Sequence, residues 1–226
     1  MVIPLNFVFQ PIADAQGNPF AYEALMRLGD NQASPLPQVL AWEESGMIEH
    51  VDLAAMHRLS NILAAARSRP RVSINVSLLT AERAGAEHFR ALAVLASHAR
   101  RVIVELTETV QRVSDAGALI RFARACQARG YAVALDDCKP GIPFAREQFM
   151  EALRPQFVKL DGEFMQECYR SGSVRALAAL VKRAHAIKAR IIAEHIDSGC
   201  MREFAFAQGA DYVQGYEIGM PAPLSH

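Results

Sequence analysis

An α/β barrel is the fold class that this sequence predicts. Eight short apolar runs recur along the chain and alternate, for most of its length, with segments of helical period. That alternation is typical of a parallel sheet whose strands are joined by right-handed helical crossovers. Most of the runs end on an acid, an amide or a lysine, as expected for a barrel with a site at its carboxyl end. In chain order the runs are FVFQ, FAYEAL, VSINVS, VIVELTE, AVALDD, FVKLD, IIAEH and YVQGY.

Size and composition suit a single domain with a full core. The chain has 226 residues, 51% of them hydrophobic, and we predict one domain over residues 1–226. The formal net charge is zero, so we expect no basic face for a nucleic-acid polymer, while a small anionic ligand stays open. The sequence contains no signal-peptide pattern, no membrane-spanning apolar run and no C-x-x-C pair. These features predict a soluble cytoplasmic protein with free thiols and no membrane partner.

Helical period predicts seven helices between the strands. Ser114 and Ser198 stand where N-caps are expected, and Gly130 and Gly209 where helices should stop. The first two apolar runs break the alternation, because only the turn-rich residues 14–18 separate them, so we predict an antiparallel pair there. The predicted helices are Leu36 to Glu44, Ile48 to Arg67, Ala81 to Arg100, Ser114 to Arg129, Arg146 to Leu153, Ser173 to Ala189 and Ser198 to Gln208.

Five residues on or at the ends of these runs offer hard oxygen ligands. Carboxylates brought to one barrel mouth repel each other unless cations lie between them, and oxygen ligands suit Mg²⁺ or Mn²⁺ rather than zinc. The adjacent acids Asp136 and Asp137 are the most informative, because one of them can bridge two metals. Two metals about 3.5–4 Å apart clamp the attacking and leaving oxygens of a phosphoryl displacement. The five residues are Glu23, Asn75, Glu105, Asp136 and Asp137.

Lys159 and Glu194 extend the predicted site. Lys159 offers a compact positive charge that suits holding a nucleophilic water or stabilising a pentacovalent phosphate. Glu194 either completes a second metal site or accepts the proton of the water. Each residue alone has a simpler interpretation, such as Asn75 capping the turn before Thr80. Lys159 and Asp161, taken alone, are also consistent with an ordinary surface salt bridge. Only the repetition of polar residues at the ends of successive strands favours a joint site.

Seven short motifs, in order along nearly the whole chain, resemble those of EAL domains, the cyclic di-GMP phosphodiesterases of bacteria. YEALMR at 22–27 resembles the E-A-L-x-R signature, and SINVS at 73–77 the N-x-S strand. ELTE at 105–108 is similar to E-x-T-E, and the aspartates at 136–137 to the start of D-D-F-G-T-G. KLD at 159–161, AE at 193–194 and QGY at 214–216, with the prolines after it, resemble K-I-D, the opening of A-E-G-V-E and the closing Q-G-Y.

The resemblance implies a TIM-like (β/α)8 barrel with an antiparallel first strand, and two Mg²⁺ or Mn²⁺ ions that open cyclic di-GMP into linear pGpG. It implies that Lys159 contacts the attacking water and that Arg27 pairs with a substrate phosphate, for which a guanidinium fork is well shaped. By resemblance, Gln10 and Gln214 line the ligand groove and Glu108 braces the loop after the paired aspartates. The implied ligands are Glu23, Asn75, Glu105 and Asp136 for the first metal, and Asp136, Asp137 and Glu194 for the second.

The loop after the paired aspartates departs from the family pattern. D-D-F-G-T-G-Y-S-S-L corresponds here to DDCKPGIPFA at 136–145, in which only the aspartates and Gly141 match. Lys139 stands at a glycine position, where positive φ would strain it, and Pro140 restricts it toward extended geometry. The resemblance assigns this loop to the second metal and to the dimer interface. We therefore expect weaker metal support and a monomer or weak homodimer.

A second departure lies in the segment that resembles A-E-G-V-E. His195 replaces a glycine, and we expect its ring to point outward. Asp197 replaces a glutamate, so it keeps the charge with a shorter reach, and its role stays open. Three functions follow: hydrolysis of cyclic di-GMP, a receptor that binds it with little or no turnover, or a protein-binding regulator that has lost the nucleotide. The intact Arg27 and ligand set count against the third.

Overall fold

The protein is an α/β barrel, as the sequence predicts. The computed structural model describes residues 5–29, 34–84, 92–107, 115–142 and 147–224. Its eight strands follow the order β1 to β8 around a closed barrel. The strands are β1 (Leu5–Ala13), β2 (Pro19–Leu28), β3 (Val72–Ser77), β4 (Val102–Thr107), β5 (Ala132–Cys138), β6 (Phe157–Leu160), β7 (Arg190–Ala193) and β8 (Tyr212–Gln214).

Six of the seven predicted helices are confirmed, with ends within three residues of the prediction. Ser198 caps its helix by accepting from the Met201 backbone N–H at 3.3 Å. Among the described residues, every helix is too short or too polar to cross a membrane. The helices are α1 (Leu36–Glu44), α2 (Ile48–Ala65), α3 (Leu78–Arg83), α4 (Ala116–Ala128), α5 (Glu147–Leu153), α6 (Gly162–Ser171), α7 (Arg175–Ala186) and α8 (Gly199–Ala207), with a 3₁₀ helix at Ala96–Arg101.

The predicted helix from Ala81 to Arg100 is wrong as one continuous helix: residues 81–83 and 92–94 are helical, but the chain leaves the helix at Ala84. The Ser77 hydroxyl caps α3 by accepting from the Leu79 N–H at 3.2 Å, so this helix starts directly at the end of β3. It stops at Arg83, because Ala84 has φ −56° and ψ 108°, outside the helical region. Residues 85–91 lie outside the described ranges, and the segment before β4 is a 3₁₀ helix.

The helix α6 is absent from the sequence prediction. Asp161 caps its first turn by accepting from the Phe164 N–H at 2.7 Å, and Gly172 ends it in the left-handed region at φ 69°. Such an aspartate and glycine at the two ends are ordinary helix signals. Only Gly162, Met165 and Cys168 of its ten residues are buried, so a narrow apolar face lies on a largely polar segment.

The first two strands form the predicted antiparallel pair. A tight turn over residues 14–18 joins them, in which the Asp14 backbone N–H donates to the Asn18 carbonyl at 3.1 Å. The Asp14 carboxylate also accepts from the Gln16 and Asn18 N–H groups, at 3.0 and 2.9 Å. At its other edge β1 runs antiparallel to β8, with Ile12 opposite Gln214.

Residues group into two compact units. The first comprises Met1–Phe9, Glu23–Ala132 and Pro221–His226, and the second Gln10–Tyr22 and Val133–Met220. In the first unit, β3 and β4 pair in parallel in unbroken register over six residues. In the second unit, β5 to β8 pair in parallel, each with the next strand along the chain. Strands β3 to β8 are almost wholly buried, as parallel strands covered by helices should be.

Candidate functional site

In the first compact unit, Asn75 on β3 is held by two neighbouring side chains. Its amide Nδ2 donates to Glu23 Oε1 at 2.8 Å, and Thr107 Oγ1 donates to Asn75 Oδ1 at 2.8 Å. These bonds fix which way the amide points and leave Oδ1 a second lone pair for a ligand. Asn75 pairs in register with Glu105, which is completely buried, so the two side chains share one face of the sheet.

The end of β3 is anchored by two buried acids on the covering helices. Asp52 Oδ2 accepts from the Ser77 backbone N–H at 3.0 Å, and Glu43 Oε1 accepts from the Ser77 hydroxyl at 2.7 Å. Both carboxylates are about 95% buried or more. Burial raises the pKa of Asp52 to about 7; hydrogen bonds from Thr80 and Ser77 oppose this rise, and the carboxylate of Glu43 adds to it. This anchor, which we call the β3 clamp (Glu43, Asp52 and Ser77), fixes the strand two residues beyond Asn75.

In the second compact unit, a β-bulge presents Asp136 and Asp137 together. Leu135 is paired with Val158 and Cys138 with Leu160, so two residues of β5 lie opposite the single residue Lys159 of β6. Asp137 adopts φ 49°, a left-handed conformation that turns the chain at the extra residue. Regular alternation would send adjacent side chains to opposite faces, and the bulge removes that restriction.

Lys159 lies at the centre of this group. Its side chain is 1% exposed, and its Nζ lies 2.9 Å from Asp136 Oδ1 and 2.9 Å from Glu194 Oε1. Carboxylate oxygens of Asp136, Asp137 and Glu194 all lie within 4.8 Å of one another. Burial and the nearby Asp136 carboxylate raise the pKa of Asp137 to about 6. Three crowded carboxylates of this kind fit a hard divalent cation, which would relieve their repulsion.

The divergent loop carries a second lysine, Lys139, which is paired with Asp161 and lies within electrostatic range of Asp137. Lys139 Nζ lies 2.9 Å from Asp161 Oδ2, and the Asp161 backbone N–H donates to the Cys138 carbonyl at 3.1 Å. The expected backbone strain at Lys139 is wrong: positive φ occurs at Asp137 and Gly141 instead. The bulge and the loop glycine absorb the turn, so the lysine remains in ordinary geometry. Loop residues 143–146 lie outside the described ranges.

The residues predicted to bind substrate differ in how they are held. Gln214 Nε2 donates to Gln10 Oε1 at 3.3 Å, and Gln10 Nε2 donates to the Gly219 carbonyl at 3.2 Å, so the two glutamines form one buried pair. In the first unit, Arg27 Nη1 donates to the Met26 carbonyl at 2.8 Å. The buried Arg27 Nε has no hydrogen-bond partner among the described residues, which leaves this donor for an anion.

His195 lies against the first residue of α6. It adopts φ 54°, and a Cβ added to Gly162 would lie 2.1 Å from the His195 Cγ. The ring therefore packs over a position that only glycine can occupy, although the residue as a whole is exposed. Asp197 is exposed as well, and Glu108 lies outside the described ranges.

Several residues that support this site are not among the predicted site residues. Thr107, within the segment that resembles E-x-T-E, orients Asn75 through its hydroxyl. The sequence predicts only that Glu43 and Asp52 lie in helices, yet both side chains bind the end of β3. A polar side chain at a buried position of an apolar helix is the sequence feature that could indicate such a supporting residue.

A sequence model of the EAL domain matches residues 4–221. The chain belongs to the EAL domain family. This EAL domain is 26% identical, over 95% of its length, to the protein named cyclic di-GMP phosphodiesterase PdeF of Escherichia coli (strain K12). The match covers 30% of that relative, so the chain spans under a third of its length.

Solved EAL structures share the fold of this EAL domain. A standalone versatile EAL protein from Vibrio cholerae O395, in its c-di-GMP bound form, superposes with a TM-score of 0.82 at 20% identity, covering 98% of this chain and 94% of that one. The YkuI protein of Bacillus subtilis, in complex with substrate c-di-GMP and calcium, gives a TM-score of 0.76 at 20% identity, covering 99% and 56%. At these identities the likeness shows the fold.

Proposed function

We propose that this EAL domain hydrolyses cyclic di-GMP to linear pGpG with the help of Mg²⁺ or Mn²⁺. The observation that carries the proposal is the position of Lys159, buried and 2.9 Å from both Asp136 and Glu194. A lysine is costly to bury unless its charge is paired, so this arrangement is typical of a functional group. The name of the E. coli relative supports the substrate.

The ligand roles in this proposal follow the chemistry of the two groups of oxygen donors. Bound divalent ions lower the pKa of a water and stabilise charge on phosphate oxygens. Lys159 holds the attacking water beside the carboxylates, and Glu194 accepts its proton. The proposed ligands are Glu23, Asn75, Glu105 and Asp136 for the first ion, and Asp136, Asp137 and Glu194 for the second.

Substrate recognition is proposed to use one cation and two amides. Arg27 binds a phosphate, since its Nε–H has no hydrogen-bond partner among the described residues and a guanidinium suits phosphate oxygens. Gln10 and Gln214 line the groove for the ligand, and their mutual bond orients both amides. Glu108 is proposed to brace the loop after the aspartates, and Asp197 is given no role.

The test is incubation with cyclic di-GMP and Mn²⁺ or Mg²⁺, followed by chromatography of the nucleotides. We expect linear pGpG from the unmodified chain, and a loss of about a hundredfold or more in Lys159→Met and Glu23→Gln. Lys182→Met removes a lysine from an exposed position of α7 and should leave the rate unchanged. Product formation that survives Lys159→Met would contradict the assigned role.

A receptor is the second candidate function. It is favoured by the ion pair of Lys139 with Asp161, which places a positive charge where the family pattern has a glycine. Calorimetry that shows cyclic di-GMP binding without any pGpG in the chromatographic assay would establish this function. We also propose that residues 1–226 form one EAL domain, that it lies in the cytoplasm, and that it is a monomer or weak homodimer. A stable dimer in sedimentation experiments would contradict the last point.

A further inference from the structure

The acidic cluster of the second compact unit contains a fixed positive charge of its own. We propose that Lys139, which is paired with Asp161, acts as a built-in cation near the group of Asp136, Asp137 and Glu194, and that it weakens the binding of a second divalent ion there. This inference rests on the proposed function, because it concerns the same metal site. It makes Lys139 a positioning residue that sets how many ions the cluster holds.

The geometry ties Lys139 to the cluster through Asp161. Lys139 Nζ lies 2.9 Å from Asp161 Oδ2, while Asp161 Oδ1 accepts from the Phe164 N–H at 2.7 Å. Both carboxylate oxygens are therefore occupied, one by the ammonium group and one by the first turn of α6. The Asp161 N–H also donates to the carbonyl of Cys138, the residue before Lys139. Lys139 is thus held near Asp161 by two contacts, the ion pair of its own ammonium group and the backbone hydrogen bond of the preceding residue, Cys138.

Lys139 also lies within electrostatic range of the proposed ligands. Its charge lowers the pKa of Asp137, against the larger effects of burial and of Asp136. The lysine side chain is 43% exposed, whereas the Asp161 side chain is 12% exposed. The ammonium group therefore lies at the boundary between the buried acids and water, on the side of the divergent loop.

The balance of charges gives the direction of the effect. The cluster and Asp161 together supply four carboxylates. Lys159 contacts Asp136 and Glu194, and Lys139 contacts Asp161. When all six groups are ionised their formal charge is minus two. Replacing Lys139 by a neutral residue makes the formal charge minus three and favours the second ion.

Calorimetric titration of the full chain with MnCl₂ at pH 8 tests the proposal without any catalytic assay. We expect Lys139→Met to bind the weaker Mn²⁺ ion roughly threefold to tenfold more tightly than the unmodified chain, a range set by the partial exposure of the lysine. Lys139→Arg keeps the charge and should match the unmodified chain. Lys182→Met controls for net charge and should also match it. Added KCl at 0.5 M should shrink the difference, because salt screens an exposed charge.

Equal Mn²⁺ affinity in the unmodified chain, Lys139→Met and Lys139→Arg would overturn the inference and leave the proposed hydrolase intact. Tighter Mn²⁺ binding in both Lys139→Met and Lys139→Arg would also overturn the inference, because the cause would then be the shape of the side chain and not its charge. Absence of Mn²⁺ binding in every variant would overturn the inference together with the metal-dependent function. Binding that appears only in Lys139→Met would support the inference in its strongest form.

Discussion

The burial of Asp52 in the β3 clamp predicts an unusual dependence of folding stability on pH. The residue is 5% exposed, and burial raises its pKa from 3.8 to about 7. The folded chain therefore keeps the proton over a pH range in which the unfolded chain has released it. The stabilisation is complete below pH 4 and is lost as the pH rises through 7. We predict that Asp52→Asn, which cannot ionise, removes this dependence.

The expected magnitude follows from the difference between the two pKa values. About three pKa units, at about 1.4 kcal/mol each, give a total of about 4 kcal/mol between the low-pH and high-pH limits. Between pH 5 and pH 8 about 3 kcal/mol of this should appear. The amide introduced by Asp52→Asn retains an oxygen that can accept from the Ser77 N–H, so the bond at 3.0 Å need not be lost. Any constant cost of the amide cancels when the two pH values are compared.

Urea unfolding followed by circular dichroism, at several pH values from 5 to 8, measures this effect. The free energy of unfolding of Asp52→Asn, relative to the unmodified chain, should rise by about 3 kcal/mol across that range. Glu203→Gln, at an exposed position of α8, is the matched control and should show no such rise. A relative stability of Asp52→Asn that stays constant with pH would show that Asp52 ionises normally, and would refute the reasoning from burial.

Three further predictions concern other contacts. Gly162→Ala should lower the free energy of unfolding in urea by about 1–3 kcal/mol, because the added Cβ would lie 2.1 Å from the His195 ring. This loss of stability should vanish in a His195→Gly background, and an equal loss in both backgrounds would exclude the clash. A colorimetric thiol reagent should titrate one cysteine quickly in the folded chain and four in urea, since only Cys200 is exposed; two fast thiols would contradict this. Thr107→Val should weaken Mn²⁺ binding about fivefold in calorimetry by freeing the Asn75 amide, whereas Thr107→Ser should not; equal losses would count against the hydrogen bond.

The barrel could be predicted because its elements carry local signals. A strand buried on both faces is a short apolar run, and β5 and β7 show this directly. The boundary between β3 and α3 carried no such signal, because Ser77 ends the strand and caps the helix at once. Because no loop residues separate β3 from α3, no loop composition marks the boundary between them in the sequence.

The site was predictable only where its residues form local motifs. The adjacent aspartates 136 and 137 are visible in the sequence, but the bulge that presents them depends on pairing with β6. The partners of the β3 clamp lie 25 and 34 residues from Ser77, and Lys139 lies 22 residues from Asp161. Contacts between residues so far apart are decided by packing of the whole fold, and one sequence does not display them.

The bulge at residues 136–137 makes the chemistry of this protein separable from its architecture. Leu135 and Cys138 are paired on either side of Lys159, so deletion of Asp137 would leave one residue opposite one residue and restore a regular ladder. A loss of that single codon would relieve a left-handed backbone conformation while removing a proposed metal ligand. Evolution could therefore convert the proposed enzyme into a binding protein in one step, at little risk to the barrel.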